Sequence, residues 1–440
     1  MNLSDRLRGI LRTPRTAAAV SGVHPTAPGE AVGALPGDRF EHSLGAQWRQ
    51  ERHARCLVVE HRTSPDGTYG ARRIGEMASC LDRVAMHAHL LASALPARPP
   101  FVFFDIETTG LSGGAGTYAF LVGCAGFGDT GEFLTRQYVL ASHSDERPML
   151  EIVSGELARA GALVTFNGKS FDAPVLEMRY MFHRLQWPGA RLPHIDVLHP
   201  ARLFWGAAGT RQTHEPERSA CSLVALEQKV LGLGRTGDVP GFEIPARYFQ
   251  FLRSGDVRPL GAVLEHNRLD LLTLAGLTVR LLQLVGDGPG EARDAREALA
   301  LGRVYQRAGL EARAVEAFEC AMAMSDSMGD VLAAPIRIDA LRSLALAARR
   351  ARRYHDAAAR WRQLLDIDIC PRHTAREALE ALAIHHEHHV RDLRAARTFT
   401  LGSLDAAART SARERTRHRL ARLERKLADN GPNATILFQS

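Results

Sequence analysis

Phe101-Val-Phe-Phe-Asp105-Ile-Glu107-Thr-Thr-Gly110 decides how the rest of this 440-residue chain is read. Four apolar residues in a row, ahead of a charged turn, predict a strand buried on both faces. Residues two apart on a strand point the same way, so Asp105 and Glu107 leave one face together at the strand end. Holding two like charges side by side away from water is costly unless a cation neutralises them. Hard divalent ions, Mg2+ or Mn2+, prefer oxygen donors of this kind. A pair of surface acids is the plainer alternative, and the strand context with Thr108, Thr109 and Gly110 argues against it.

Working outward, Tyr118 to Phe127 and Glu132 to Leu140 read as two more strands, joined by the turn Gly128-Asp-Thr-Gly131. A helix follows over about 145–160, then a fourth strand at Ala162 to Phe166. Helices are predicted at 172–185, 196–205, 222–231, 245–253 and 260–284. Three strands, a helix, a strand and then helices is the order of an α/β ribonuclease-H-like fold, a mixed sheet flanked by helices. Upstream, Cys56 to Glu60 and the stretch after Asp66-Gly67 read as a small hairpin, because Asp-Gly supplies the positive φ of a tight turn.

Two further segments complete the acidic set. In Phe166-Asn-Gly-Lys-Ser-Phe-Asp172 a strand ends, a glycine turn follows and Asp172 opens a helix. Helix starts favour negative charge, so capping is the alternative to a third metal-site carboxylate. Asn167 and Lys169, with Thr108, are the candidates for touching a substrate phosphate. In Glu265-His266-Asn-Arg-Leu-Asp270, His266 and Asp270 are four apart and share a helix face. A metal-site carboxylate with a proton acceptor one turn away suits water-driven phosphodiester cleavage.

With these segments in place, the chain resembles the DEDD superfamily of ribonuclease-H-like exonucleases, and within it the YprB-type family of bacterial proteins, over roughly 101–284. The resemblance implies that Asp105 and Glu107 form the first motif, Asp172 the second and Asp270 the last. It implies two metal ions, Mg2+ or Mn2+, held by these four acids, and water activated near His266. That superfamily's histidine branch spaces its His five residues before the final Asp, and its tyrosine branch uses four. Here a His stands at the four-residue position. His194-Ile-Asp196-Val-Leu-His199 also belongs to the resemblance; Asp196 reads as an additional ligand, a partner of the ligands, or a helix N-cap. The implied activity is a metal-dependent nuclease, a 3′–5′ exonuclease in that superfamily's manner. The motifs themselves leave exo- and endonuclease, and DNA and RNA, open. The rivals are a catalytically idle nucleic-acid-binding or adaptor protein, and a purely structural scaffold.

Past Gly290 the predicted strands stop. Leu301, Gly302, Tyr305, Gly309, Ala314, Phe318 and Ala321 occur at tetratricopeptide spacing. Two degenerate units follow (Leu344, Ala345, Ala357, Trp361, then Leu382, Ala383, Ala395, Phe399), so the second half reads as an all-α tetratricopeptide-like region, a possible surface for a protein partner. His385, His386, His388 and His389 surround Glu387, and packing or partner contact explains them better than zinc. Arg349 to Arg353 reads as a solvated helix end, with a phosphate patch as the alternative.

The expected units are 1–45, a basic segment and linker; 46–100, a hairpin-containing extension; 101–288, the nuclease domain; 289–430, the helical domain; and 431–440, a tail. A short basic helix explains Met1 to Thr16 better than a transit peptide. Residues 101–290 hold 17 Lys/Arg against 20 Asp/Glu, whereas the whole chain carries a net +7, so basic flanks surround an acidic middle, which suits a polyanionic substrate such as nucleic acid, with a solvated basic surface as the plainer alternative. Six scattered cysteines form no CxxC pair and predict reduced thiols in a cytoplasmic protein. No apolar run is read as long enough to cross a bilayer, so no membrane association is expected.

Overall fold

The computed structural model describes residues 44–51, 54–92, 96–110, 116–206, 221–406 and 410–429. The expected N-terminal helix and the 431–440 tail lie outside the described residues. In chain order, β1 (Ala46–Glu51) and β2 (Ala54–Thr63) precede a two-stranded ribbon of β3 (Thr68–Tyr69) and β4 (Arg72–Arg73) and helix α1 (Ile74–Val84). Then come β5 (Phe101–Thr108), β6 (Ala119–Phe127), β7 (Phe133–Val139), α2 (Glu146–Leu157), β8 (Ala162–Thr165), α3 (Asp172–Phe182), β9 (His194–Asp196), α4 (Leu198–Trp205), α5 (Ile244–Ser254) and α6 (Arg258–Asp287).

The main sheet has the order β1-β2-β7-β6-β5-β8-β9. β5, β6 and β7 run antiparallel to one another, while β8 lies parallel on β5 and β9 parallel on β8. That is a ribonuclease-H-like sheet, widened by β1 and β2 at the β7 edge. β5 runs through its middle, which explains the apolar run: Phe101 and Phe103 join the core on one face, Phe104 and Ile106 the core on the other. Asp105 and Glu107 continue the Phe101–Phe103 row, so they emerge on the face covered by α6.

Several expectations change. Cys56 to Glu60 does not pair across Asp66-Gly67. It lies in β2, whose seven-residue register with β7 outweighs what the two-residue β3 offers. A turn does close from Ser64 to Gly67, but the positive φ falls at Gly70, between β3 and β4. The helix predicted from 196 begins at Leu198, because His194–Asp196 is drawn into the sheet as β9. The helix predicted at 222–231 is a short α-turn, Leu223–Leu226, running into a π-turn that Gly232 ends at φ 72°. Contrary to the reading of apolar runs, α6 is long and apolar enough, by length and composition alone, to cross a bilayer. In this structure 78% of its most apolar window is buried within the protein.

α6 also carries the second half of the molecule. After it come α7 (Ala295–Arg307), α8 (Glu311–Ser325), α9 (Asp330–Arg350), α10 (Tyr354–Leu365), α11 (Arg372–His385), α12 (Leu393–Asp405) and α13 (Thr410–Asp429). At Gly302 a Cβ would stand 2.5 Å from the Phe318 ring, so the glycine notch on α7 is what lets α8 seat its aromatic. Leu301, Tyr305, Phe318 and Ala321 are fully buried in the same core as Leu271 to Val285 of α6. Trp205 Nε1 (2.8 Å) and Arg280 Nη2 (2.7 Å) donate to Glu297, joining the sheet side to α7. The long α9 absorbs the irregular repeat spacing. The histidine cluster is packing: His389 stacks on Tyr354 at 3.8 Å, His385 meets His355 edge-on, and Glu387 receives Arg422 and Lys426. Arg349 to Arg353 is an exposed helix end. None of the six cysteines is disulfide-bonded.

Candidate active site

Strand alternation and helix periodicity bring the predicted acids to one place. Asp105 and Glu107 sit at the end of β5, just before a register shift at Glu107/Thr108 that breaks the β5–β6 ladder. Asp172 is the first residue of α3 and is buried. Asp270 comes from α6. Burial raises the Asp105 pKa well above the carboxylate range, and the charges of Asp270, Glu107 and Asp172 raise it further. Glu107 is raised by burial and then by Asp270, Asp172 and Asp238. Burial and Asp196 push Asp172 to about 7. Asp270 is raised by burial too, although His266 and Arg235 pull it back. Asp105 and Glu107 both feel Asp172 and Asp270, which places the four acids about one site.

Neighbouring backbone and amides hold these acids in place. Asn267 is wholly buried and donates to Asp105 Oδ2 at 2.8 Å. Gln137 steadies it by donating to Asn267 Oδ1 at 2.9 Å and to Leu264 O at 2.7 Å. Gly123 on β6 makes room, since a Cβ there would collide with Asn267 Oδ1. Asp196 accepts backbone N–H groups from Asn167 (2.8 Å), Lys169 (3.1 Å) and Leu198 (3.2 Å). Both its oxygens are therefore engaged in tying the end of β9 to the turn before Asp172. In that turn Asn167 adopts φ 63°, and Gly168 packs against Thr165 where no Cβ fits. Thr108 is buried, and its hydroxyl donates to Gly110 O at 2.9 Å, closing its own loop. Lys169 is half-buried, its pKa lowered by burial against the pull of Asp196.

Residues that sequence reading missed lie on the other side. Arg235, 5% exposed, donates from Nε to Glu227 (2.6 Å) and from Nη1 to Asp238 (3.0 Å), and stands 2.7 Å from Asp270 Oδ1. Asp238 Oδ1 lies 2.8 Å from His266 Nδ1, and His266 Nε2 lies 3.5 Å from Asp270 Oδ2. Burial raises the Asp238 pKa, but the hydrogen bonds from His266 and Arg235 outweigh this and hold it below the carboxylate range. No periodic signal marks these residues, because Arg235 and Asp238 sit in the irregular segment between Gly232 and Gly241.

The stretch that contains the four acids, His266, Arg235 and Asp238 also matches known proteins. Residues 102–282 match the RNase_H superfamily. They form a ribonuclease-H-like domain. The chain is similar as well to "Uncharacterized protein YprB" of Bacillus subtilis (strain 168), 30% identical over 256 residues. That match takes in 57% of this chain and 59% of the length of YprB.

Ribonuclease-H-like folds usually employ divalent metals, and the donors of this ribonuclease-H-like domain suit them. The set is all carboxylate, as hard cations require. Asp270 Oδ1 is buried with Arg235 Nη1 2.7 Å away, so the guanidinium already offsets part of the acidic charge. Among the described residues no three acidic, His or Cys groups already close around one point tightly enough for coordination.

Proposed function

We propose that the protein is a divalent-metal-dependent nuclease of the DEDD type, hydrolysing phosphodiester bonds of nucleic acid as a 3′–5′ exonuclease. The observation that carries this reading is the convergence of Asp172 and Asp270 on Asp105 and Glu107, whose pKa values both raise, beside His266. Acids whose charges raise the pKa of Asp105 and Glu107 in this way form an arrangement that a bound cation would relieve. Asp105, Glu107, Asp172 and Asp270 would hold two Mg2+ or Mn2+ ions, which supply a nucleophilic water and charge stabilisation at the leaving oxygen. His266 would accept the proton of the attacking water, and Lys169 would meet phosphate. A nucleic-acid chain is the substrate that fits an acidic centre within a chain of net +7. The free thiols agree with a cytoplasmic setting.

The test is digestion of end-labelled single- and double-stranded DNA and RNA by the full chain with Mg2+, Mn2+ or EDTA. Metal-dependent shortening from the 3′ end is expected. Asp105→Asn should reduce it by about a thousandfold, equivalent to about 4 kcal/mol of barrier. Equal digestion by wild type and Asp105→Asn would sink the proposal. The idle-adaptor alternative draws on one observation, the ion-paired separation of Arg235 and Asp270, and predicts metal-independent nucleic-acid binding with no digestion.

A further inference from the structure

His266 is held at both ring nitrogens, and the two contacts are unequal. Nδ1 lies 2.8 Å from Asp238 Oδ1, within hydrogen-bond range, whereas Nε2 lies 3.5 Å from Asp270 Oδ2. The other oxygen of Asp238 accepts from Arg235 Nη1 at 3.0 Å, so the carboxylate is fixed at both ends. Arg235 is fixed in turn by Glu227 at 2.6 Å and by Thr273 Oγ1 at 3.2 Å. Tyr69, from the β3–β4 ribbon, closes the array with hydrogen bonds to Glu227 and to Thr273 at 2.6 Å. An ionised carboxylate beside a guanidinium only accepts hydrogen bonds, so the ring nitrogen facing it must carry the proton.

We propose that Asp238 is the positioning residue of the active site: backed by Arg235, it fixes His266 as the Nδ1–H tautomer and turns a lone pair on Nε2 toward the acids. The assignment deepens the nuclease reading, and it also explains how His266 serves from the position four residues before Asp270. A ring one turn away on the same helix needs a clamp from outside that helix to stop it rotating. Asp238, 28 residues earlier in the chain, provides it. Buried partners of this kind are worth about 10- to 100-fold when removed.

The test uses full-length protein with selectively 15N-labelled histidine, the His266 signal being the one lost in His266→Gln. The Nδ1–H form is expected in wild type and in Asp238→Asn, whose amide oxygen still accepts. Asp238→Ala should move the ring to the Nε2–H form that free histidine side chains prefer. An Nε2–H ring in wild type, or a tautomer unchanged by Asp238→Ala, overturns the proposal. In the digestion assay Asp238→Ala should lower kcat about 10- to 100-fold with little change in KM. Adding it to His266→Ala should cost nothing more, because the two act as one unit. Additive losses in that double variant overturn the proposal. The tautomer needs no turnover to be read: an inert wild type with the expected ring supports the positioning role and sinks the nuclease reading instead.

Discussion

Glu387 in the helical half and the acids at the end of β5 are all carboxylates withdrawn from water, yet they end in opposite electrostatic states. Glu387 accepts from Arg422 at 2.7 and 2.9 Å and from Lys426 at 3.0 Å. Burial raises its pKa, but those donors outweigh burial and hold it below the usual range. Asp105 and Glu107 face Asp172 and Asp270 instead, and burial and repulsion add in the same direction. Arg235, the cation beside Asp270, is shared with Asp238 and Glu227. The comparison teaches that burial of charge does not by itself mark a site. A charge deficit left standing in the folded protein does, because the missing cation must come from a ligand.

The most direct way to break this contrast is to remove one acid from each place. Asp105→Asn should abolish turnover while raising the melting temperature of metal-free protein, since it deletes a repelled charge. A lower melting temperature would show that the β5 acids are already compensated. The second way is to vary pH after metal removal with EDTA. The folded Asp172 carboxyl is raised from 3.8 to about 7, so the unfolded chain loses its proton first as pH rises. Stability should therefore fall between about pH 4 and pH 7 and level off above, and added Mg2+ should flatten the slope in thermal melts. Glu387 has the opposite sign: its contribution is present above the ordinary glutamate range and is lost as pH falls through its depressed value. Glu387→Gln should cost about 1–2 kcal/mol in denaturant unfolding and leave digestion rates unchanged. The smallest change concerns packing alone. Gly302→Ala drives a methyl toward the Phe318 ring and should cost about 1–3 kcal/mol, again without touching the β5 acids.

Much of this contrast was legible along the chain. Phe101 to Gly110 announced both the central strand and the acid pair, because alternation on a strand is a property of neighbours. Asp172 and Asp270 were legible for the same reason, one at a helix start and the other one turn after His266. The tetratricopeptide spacing around Gly302 and Phe318 translated directly into a notch and its filler. β9 was not legible: three residues, His194–Asp196, carry too short a pattern to outvote the helix that follows. Asp196 was legible as a position, whereas its three backbone donors come from two segments that only the sheet brings together.

Sequence by itself determined which carboxylates the protein owns, which elements carry them and which way each element's side chains point, since period and capping act over a few residues. Tertiary structure alone decided the charge balance around them. Asn267 reaches Asp105 across 162 positions, and Arg235 and Asp238 reach α6 from an irregular glycine-rich segment. Coulomb energies and hydrogen bonds depend on separations of a few ångströms between such distant segments, and no local pattern encodes those separations.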